Sequence, residues 1–197
     1  MRVWLPVALL VGLALGCESA PRARAAPEEP PTSRRLQRKD PSSGEVVRTW
    51  EVLVYSDGRQ VKHGIDYRWY SSGAKLSEGS YRFGQRDGTL TRWYANGQKR
   101  SESRFETDGK TSEMEFWHEN GQLSARGKAI RGRREGFWSF WFEDGKPREE
   151  GGYVDGERVG IWSLYWESGG RRSRGRYDAG ERVGSWEHWD EGQAENE

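Results

Sequence analysis

The chain holds one cysteine, Cys17, in 197 residues, so no internal disulfide can form. It also lacks a charge excess of one sign. Its 32 Lys and Arg nearly cancel its 31 Asp and Glu, which leaves no electrostatic case for a nucleic-acid partner. Aliphatic side chains are scarce, and only 33% of residues are apolar. An ordinary core of Leu, Ile and Val is therefore excluded. The three histidines, His63, His118 and His188, lack the cysteine or carboxylate spacing of a metal site. No Walker loop, nucleophile motif or dinucleotide fingerprint occurs. "WEHWDEG" brings Glu187, His188 and Asp190 together, but a lone His is far more often a surface residue than a catalyst. The expectation is a protein that is no enzyme, with no catalytic residue, no metal and no cofactor.

Glycine and tryptophan are abundant instead, at 26 and 11 residues. Such a chain must pack rings, each burying a large apolar area with few rotatable bonds. The rings are periodic. Trp69, Trp93, Trp117, Trp141, Tyr165 and Trp189 follow one another at steps of 24 residues (93 − 69 = 24, and so on). Gly73, Gly97, Gly121, Gly145 and Gly169 keep the same step, as do Gly64, Gly88, Gly136, Gly160 and Gly184, with Ser112 in the one gap. A fixed period of this size signals stacked repeats.

One unit, from Phe137 to Gly160, reads "FWSFWFEDGKPREEGGYVDGERVG". A short aromatic strand leads to "EDGK", whose equivalents are "ANGQ" and "ENGQ". Such Asx-Gly pairs suit tight hairpins with two successive residues at positive φ. A more polar strand follows, and "DGERVG" turns the chain into the next unit. Gly88, Gly136, Gly156, Gly160, Gly180 and Gly184 are assigned to these second turns, with the charged pair keeping the turn in water. A phosphate cradle is rejected for "DGERVG", because a strand follows it where a helix N-terminus is needed. The expected fold is all-β, an elongated antiparallel meander forming a single twisted ribbon of stacked hairpins.

Alternation along a strand puts Trp138, Phe140 and Phe142 on one face, as it does Trp162, Leu164 and Trp166, and puts Trp141 and Tyr165 on the other. The row Trp69, Trp93, Trp117, Trp141, Tyr165, Trp189 is then either a buried stack or a binding track for flat sugar faces or a partner's apolar patch. The basic strand "GGRRSRGRY" reads as a solvated face, or as a row of Arg meeting anionic lipid or glycan.

The pattern G-x-W-x-x-W-Y-x-N-G, followed by G-x-Y-x-x-G-x-x-x-G, resembles the MORN repeat, in the variant of bacterial YwqK-type antitoxins. The matching positions include Trp138, Trp141, Phe142, Gly145, Gly151, Tyr153, Gly156 and Gly160. The third unit departs, with Ser103, Asp108 and Ser112 where glycine is usual, and the fourth has Ala129 in place of a ring. The resemblance implies a hairpin ribbon with a scaffold or partner-binding role, and no catalysis.

Ahead of the repeats, "MRVWLPVALLVGLALGC" has Arg2, a short apolar run and then Cys17. Its ending "LALGC" resembles the lipobox of bacterial lipoproteins, which implies cleavage before Cys17 and a lipid on that residue. Residues 1–16 are then a signal peptide, 17–44 a disordered tether rich in Pro, Arg and Glu, and 45–197 the repeat domain. That domain is read as a half-repeat cap, about five full repeats and a closing half-repeat. The expectation is an exported lipoprotein, anchored in a bacterial envelope membrane, whose repeats bind a partner protein. The alternatives are a binder of envelope glycan or anionic lipid, and an immunity-type role.

Overall fold

The structure, a computed structural model, describes residues 29–192. Cys17 and the expected signal peptide lie outside the described residues. Thirteen strands alternate with turns: β1 Thr32–Lys39, β2 Val46–Val54, β3 Gln60–Trp69, β4 Lys75–Arg82, β5 Gln85–Trp93, β6 Lys99–Phe105 and β7 Thr111–Trp117. After them come β8 Leu123–Ile130, β9 Arg133–Trp141, β10 Pro147–Val154, β11 Glu157–Tyr165, β12 Arg171–Asp178 and β13 Glu181–His188. Each strand pairs with the next in one antiparallel sheet, so the fold is the expected open meander. Thirteen strands at about 4.8 Å make a sheet roughly 60 Å across.

The two kinds of turn differ in a way the sequence reading reversed. At Tyr94–Gln98 the Gly97 N–H donates to the Tyr94 carbonyl (3.0 Å), and the Tyr94 N–H donates to the Gln98 carbonyl (2.8 Å). Gly97 sits at φ +86° while Asn96 does not enter the left-handed region. This is a three-residue loop closed by a single left-handed glycine, in which the Asn96 carboxamide oxygen accepts the Gln98 N–H (2.9 Å). The paired left-handed residues stand in the other turns, at Asp155–Gly156 (φ 51° and 91°) and Ala179–Gly180 (44° and 85°). Those are two-residue loops, whose handedness must match the strand twist.

A second correction concerns Gly88, Gly136, Gly160 and Gly184. They lie inside strands β5, β9, β11 and β13, while Gly156 and Gly180 are turn residues. Between β10 and β11 the register runs Gly152↔Val159 and then Glu150↔Ser163, so a step of two residues faces a step of four. Gly160, at φ +70°, is the left-handed residue in this wide bulge. The same slip recurs beside Gly64, Gly88, Gly136 and Gly184. Both kinds of glycine need positive φ, so composition alone cannot separate them.

The third unit dispenses with the bulge. Ser112 pairs with Phe105, and the β6–β7 register is unbroken. The surplus residues sit instead in a longer turn, closed by the Glu106 N–H on the Thr111 carbonyl (2.8 Å). Asp108 holds that turn, accepting from the Thr111 and Lys110 N–H groups (2.8 Å each) and from the Thr111 hydroxyl (2.7 Å). These hydrogen bonds, the Thr111 N–H first, draw its carboxyl down to about 2.

The disorder expected over residues 17–44 does not hold for its described part. Thr32–Lys39 form β1, paired with β2 from Thr32↔Val54 to Lys39↔Val46. Its sequence, TSRRLQRK, carries no apolar alternation, and its side chains stay mostly exposed. Backbone hydrogen bonds offered by β2 order it, with Arg35 adding an exposed ion pair to Glu51 (2.8 Å).

Candidate functional site

Cross-strand pairing assembles side chains into transverse rows. On one face, Gly127↔Trp138, Gly151↔Trp138 and Gly175↔Trp162 are direct partners. A Cβ added at Gly151 would lie 2.3 Å from the Trp162 ring, and one at Gly127 or Gly175 would meet Trp138 or Trp186 as closely. Each indole therefore lies flat on the glycine backbone of the preceding strand. Trp138 and Trp162 donate Nε1–H to the carbonyls of Lys128 (2.8 Å) and Gly152 (3.2 Å). Phe140, Leu164, Tyr153 and Tyr177 complete a core with Ala125, in which Trp162 is fully buried. Trp162 meets Tyr153 edge-on at 5.1 Å and Phe140 stacked at 6.4 Å. The fourth unit's Ala129, standing where other units carry a ring, is also fully buried.

The arginine of each "GERVG" roofs this core. Arg158 lies 4.1 Å over the Trp162 ring, and Arg182 lies 4.2 Å over Trp186. Arg134 holds the same place over Trp138 at 4.9 Å. Arg158 also donates to Glu149 (2.7 Å) and to the Tyr177 hydroxyl (3.2 Å). Burial pushes the Tyr177 phenol up, but hydrogen bonds from Arg182 and Arg158 outweigh it and hold it below its ordinary value. The charged pair is thus more than a solvated turn. Its arginine covers rings that, among the described residues, have no second layer over them.

The row Trp69 to Trp189 occupies the hairpin margin, half-buried, and no two of its rings touch each other. Lys75 roofs Trp93 at 5.2 Å, Lys99 roofs Trp117 at 4.9 Å, and Arg171 lies 5.3 Å over Trp189. Tyr165 donates to Glu150 (2.9 Å), and burial first, then this carboxylate, push its phenol up. The row's backbone acts as an anchor. Tyr70 donates to the Trp93 carbonyl (2.9 Å), Tyr94 to that of Trp117 (2.8 Å) and His118 Nε2 to that of Trp141 (3.0 Å). At the opposite margin, the Gly156 N–H reaches the Arg134 carbonyl and the Gly180 N–H that of Arg158, both at 2.9 Å. Both margins are therefore tied from hairpin to hairpin.

Toward β1 the ring face changes character. Asp66, 5% exposed, stands where Trp138 and Trp162 stand three and four units on (66 + 72 = 138). Arg48 grips both its oxygens (3.0 and 2.6 Å), and Lys62 adds a third bond (3.2 Å). Burial alone pushes the Asp66 carboxyl up, but these hydrogen bonds and charges together hold it below the usual carboxylate range. Among the described residues, no group of three His, Cys, Asp or Glu side chains is placed to hold a metal ion. His63 packs on Phe83 with ring centroids 5.0 Å apart, His118 ties two hairpins, and His188 ends β13.

The unit carrying Gly88, Trp93, Asn96, Gly97 and Ser103 spans the β5–β6 hairpin and matches a known family profile. Residues 86–106 are a MORN repeat variant. The hairpins flanking this MORN repeat share its margin ties and its glycine-closed loop. No curated protein matches the chain. Among solved structures, the crystal structure of TarM is similar over 46% of this chain and 18% of that one, at 12% identity and a TM-score of 0.32.

Proposed function

We propose that the chain is an exported lipoprotein, held to a bacterial envelope membrane through Cys17, whose MORN-type hairpins form a scaffold for a partner protein. One observation carries the binding half of this reading. On the face opposite the buried indoles, Phe137 (62% exposed), Val154 (54%), Ile161 (52%) and Ile130 (41%) stand in the sheet around β8 to β11. Large apolar side chains left in solvent on one face suit an interface. Arg131, Arg133, Glu135 and Asp155 line the hollow beside Ile130 and Val154, with Arg133 paired to Asp155 (2.7 Å), and Arg174, Arg176 and Glu187 line that beside Ile161. The partner that fits is a protein presenting an apolar patch with a rim of mixed charge. The Trp93 and Trp117 faces are already roofed by Lys75 and Lys99, which favours the face carrying Phe137 over that row as the docking surface. The anchoring half draws on "LALGC" and the short apolar run before it.

Phe137→Glu and Ile161→Glu are expected to leave folding unchanged within about 0.5 kcal/mol, because both side chains already face water. Both are expected to abolish cross-linking to the protein that the wild-type chain captures in its native envelope. Capture of the same protein at unchanged yield by both variants overturns the docking surface. The anchor is tested in the same cells with a fatty-acid probe: label on the wild type and none on Cys17→Ser is expected, and equal labelling of the two refutes it.

A further inference from the structure

On the ring face between β3 and β5, guanidinium groups replace rings. Arg68 and Arg92 are direct cross-strand partners of Ser77, one on each side. Arg86 lies beside them, its Nη1 over the backbone of Gly79. With Asp66 and Leu90 these residues line a cavity of about 40 Å³. A water needs roughly 10–15 Å³ of such space, so the cavity admits a small compact group and excludes a sugar ring. Arg92 occupies the place taken by Phe116 one unit on and Phe140 two units on (92 + 24 = 116, 116 + 24 = 140). The chain has a ring that fits this place and uses a cation instead.

The cations here outnumber their counterions. Asp66 is the one carboxylate lining the cavity, and Arg48 and Lys62 already hold it. Arg68 reaches it only at 3.6 Å. Neither Arg86 nor Arg92 pairs with a carboxylate among the described residues. Burial first, and then the charges of Arg86, Arg100 and Arg68, push the Arg92 guanidinium below its ordinary value. The acids on the flanking strands do not help, because Glu78 and Glu102 pair with Lys75 and Lys99. Like charges gathered around a cavity destabilise the empty protein, and a bound anion reverses the sign of that term.

We propose that this cavity binds one tetrahedral oxyanion of the phosphate type, held by Arg68, Arg86 and Arg92 with the Ser77 hydroxyl as a further donor. Planar guanidinium forks match two oxygens of such a group at once, and three of them converge here. Free orthophosphate and the phosphate of a lipid headgroup present the same chemistry to the site.

The test titrates orthophosphate into the full-length protein at constant ionic strength, balanced with chloride, and follows the thermal midpoint and the arginine Nε–H resonances. The midpoint is expected to rise and saturate with phosphate, with the Arg86 and Arg92 resonances moving. Arg92→Phe restores the ring used in later units. It is expected to raise the midpoint of the anion-free protein and to remove the phosphate response. Arg86→Gln gives a second variant, expected to weaken binding by about tenfold or more, as loss of a charged hydrogen bond implies. Equal responses to phosphate and chloride in the wild type overturn the proposal, as does a full phosphate response in Arg92→Phe and Arg86→Gln. Sedimentation with vesicles of phosphatidylcholine, with and without phosphatidylglycerol, separates the sources. Binding only to the anionic vesicles, lost in Arg92→Phe, assigns the headgroup. A phosphate response without vesicle binding assigns the free ion.

Discussion

Trp162→Ala is expected to cost about 3–5 kcal/mol, the range for deleting a buried aromatic side chain. Trp162 is fully buried, and its loss removes contacts to Tyr153, Phe140 and Tyr177 together. Its partner Gly151 gives the sharper test. A serine there places Cβ against the indole, so Gly151→Ser is expected to cost about 1–3 kcal/mol through forced displacement of the ring. The third unit already contains the alternative solution. Ser103 faces Met114 across β6 and β7, in the register that pairs Gly127 with Met114 on the other side. Ser103 is buried at 2% exposure without displacing anything, because a thioether chain can step aside where an indole cannot. Gly151→Ser combined with Trp162→Met is therefore expected to cost less than the two single changes summed, with a coupling of about 1 kcal/mol or more. Urea unfolding of the four proteins measures it. Strict additivity would falsify the account of glycine as the seat of the indole.

Asp66→Asn is expected to cost about 3 kcal/mol, the lower end for breaking a buried ion pair, since Lys62 retains access to water. The substitution leaves Arg48 without the carboxylate it grips by both oxygens, amid Lys62 and Arg68. The pH dependence follows from the lowered carboxyl. Its folded value lies below its unfolded value near ~3.9. Its contribution is therefore fully present above about pH 4 and is lost as pH falls through the folded value. Wild type and Asp66→Asn are expected to converge in thermal midpoint as the pH drops from about 5 toward 2. A gap that stays constant over that window rules Asp66 out as the electrostatic centre of the amino-terminal half.

The ring face was legible in the sequence because strand alternation is rigid: Trp138 and Phe140 share it with Trp162 and Leu164, while Phe142 and Trp166, expected beside them, lie past the strand ends in the hairpin loops, where alternation no longer holds. The glycines were legible as punctuation, but Gly156 and Gly160 were not separable, since a turn and a bulge ask the same of the backbone. Strand β1 was hidden because its pairing depends on an edge supplied from elsewhere in the chain, and its own residues carry no apolar period. Arg158 reads as a solvated turn residue because sequence shows a charge and not the indole over which its guanidinium lies. The cationic cavity was visible in principle. Setting Arg68 and Arg92 beneath Phe116 and Phe140 in register exposes the exchange, but only after the period is used to compare units position by position.

The missing bulge of the third unit has a consequence for how such a chain can change over generations. Its surplus residues can sit in the strand or in the turn, and the pairing beyond them is the same either way: Glu102↔Glu115 repeats Glu150↔Ser163 two units earlier. A copy can therefore lose its bulge glycine, as Ser112 records, and hand its neighbours an unaltered register. Divergence stays local, so each hairpin is free to drift toward its own chemistry, rings in one and guanidinium groups in another, while the array as a whole remains in step.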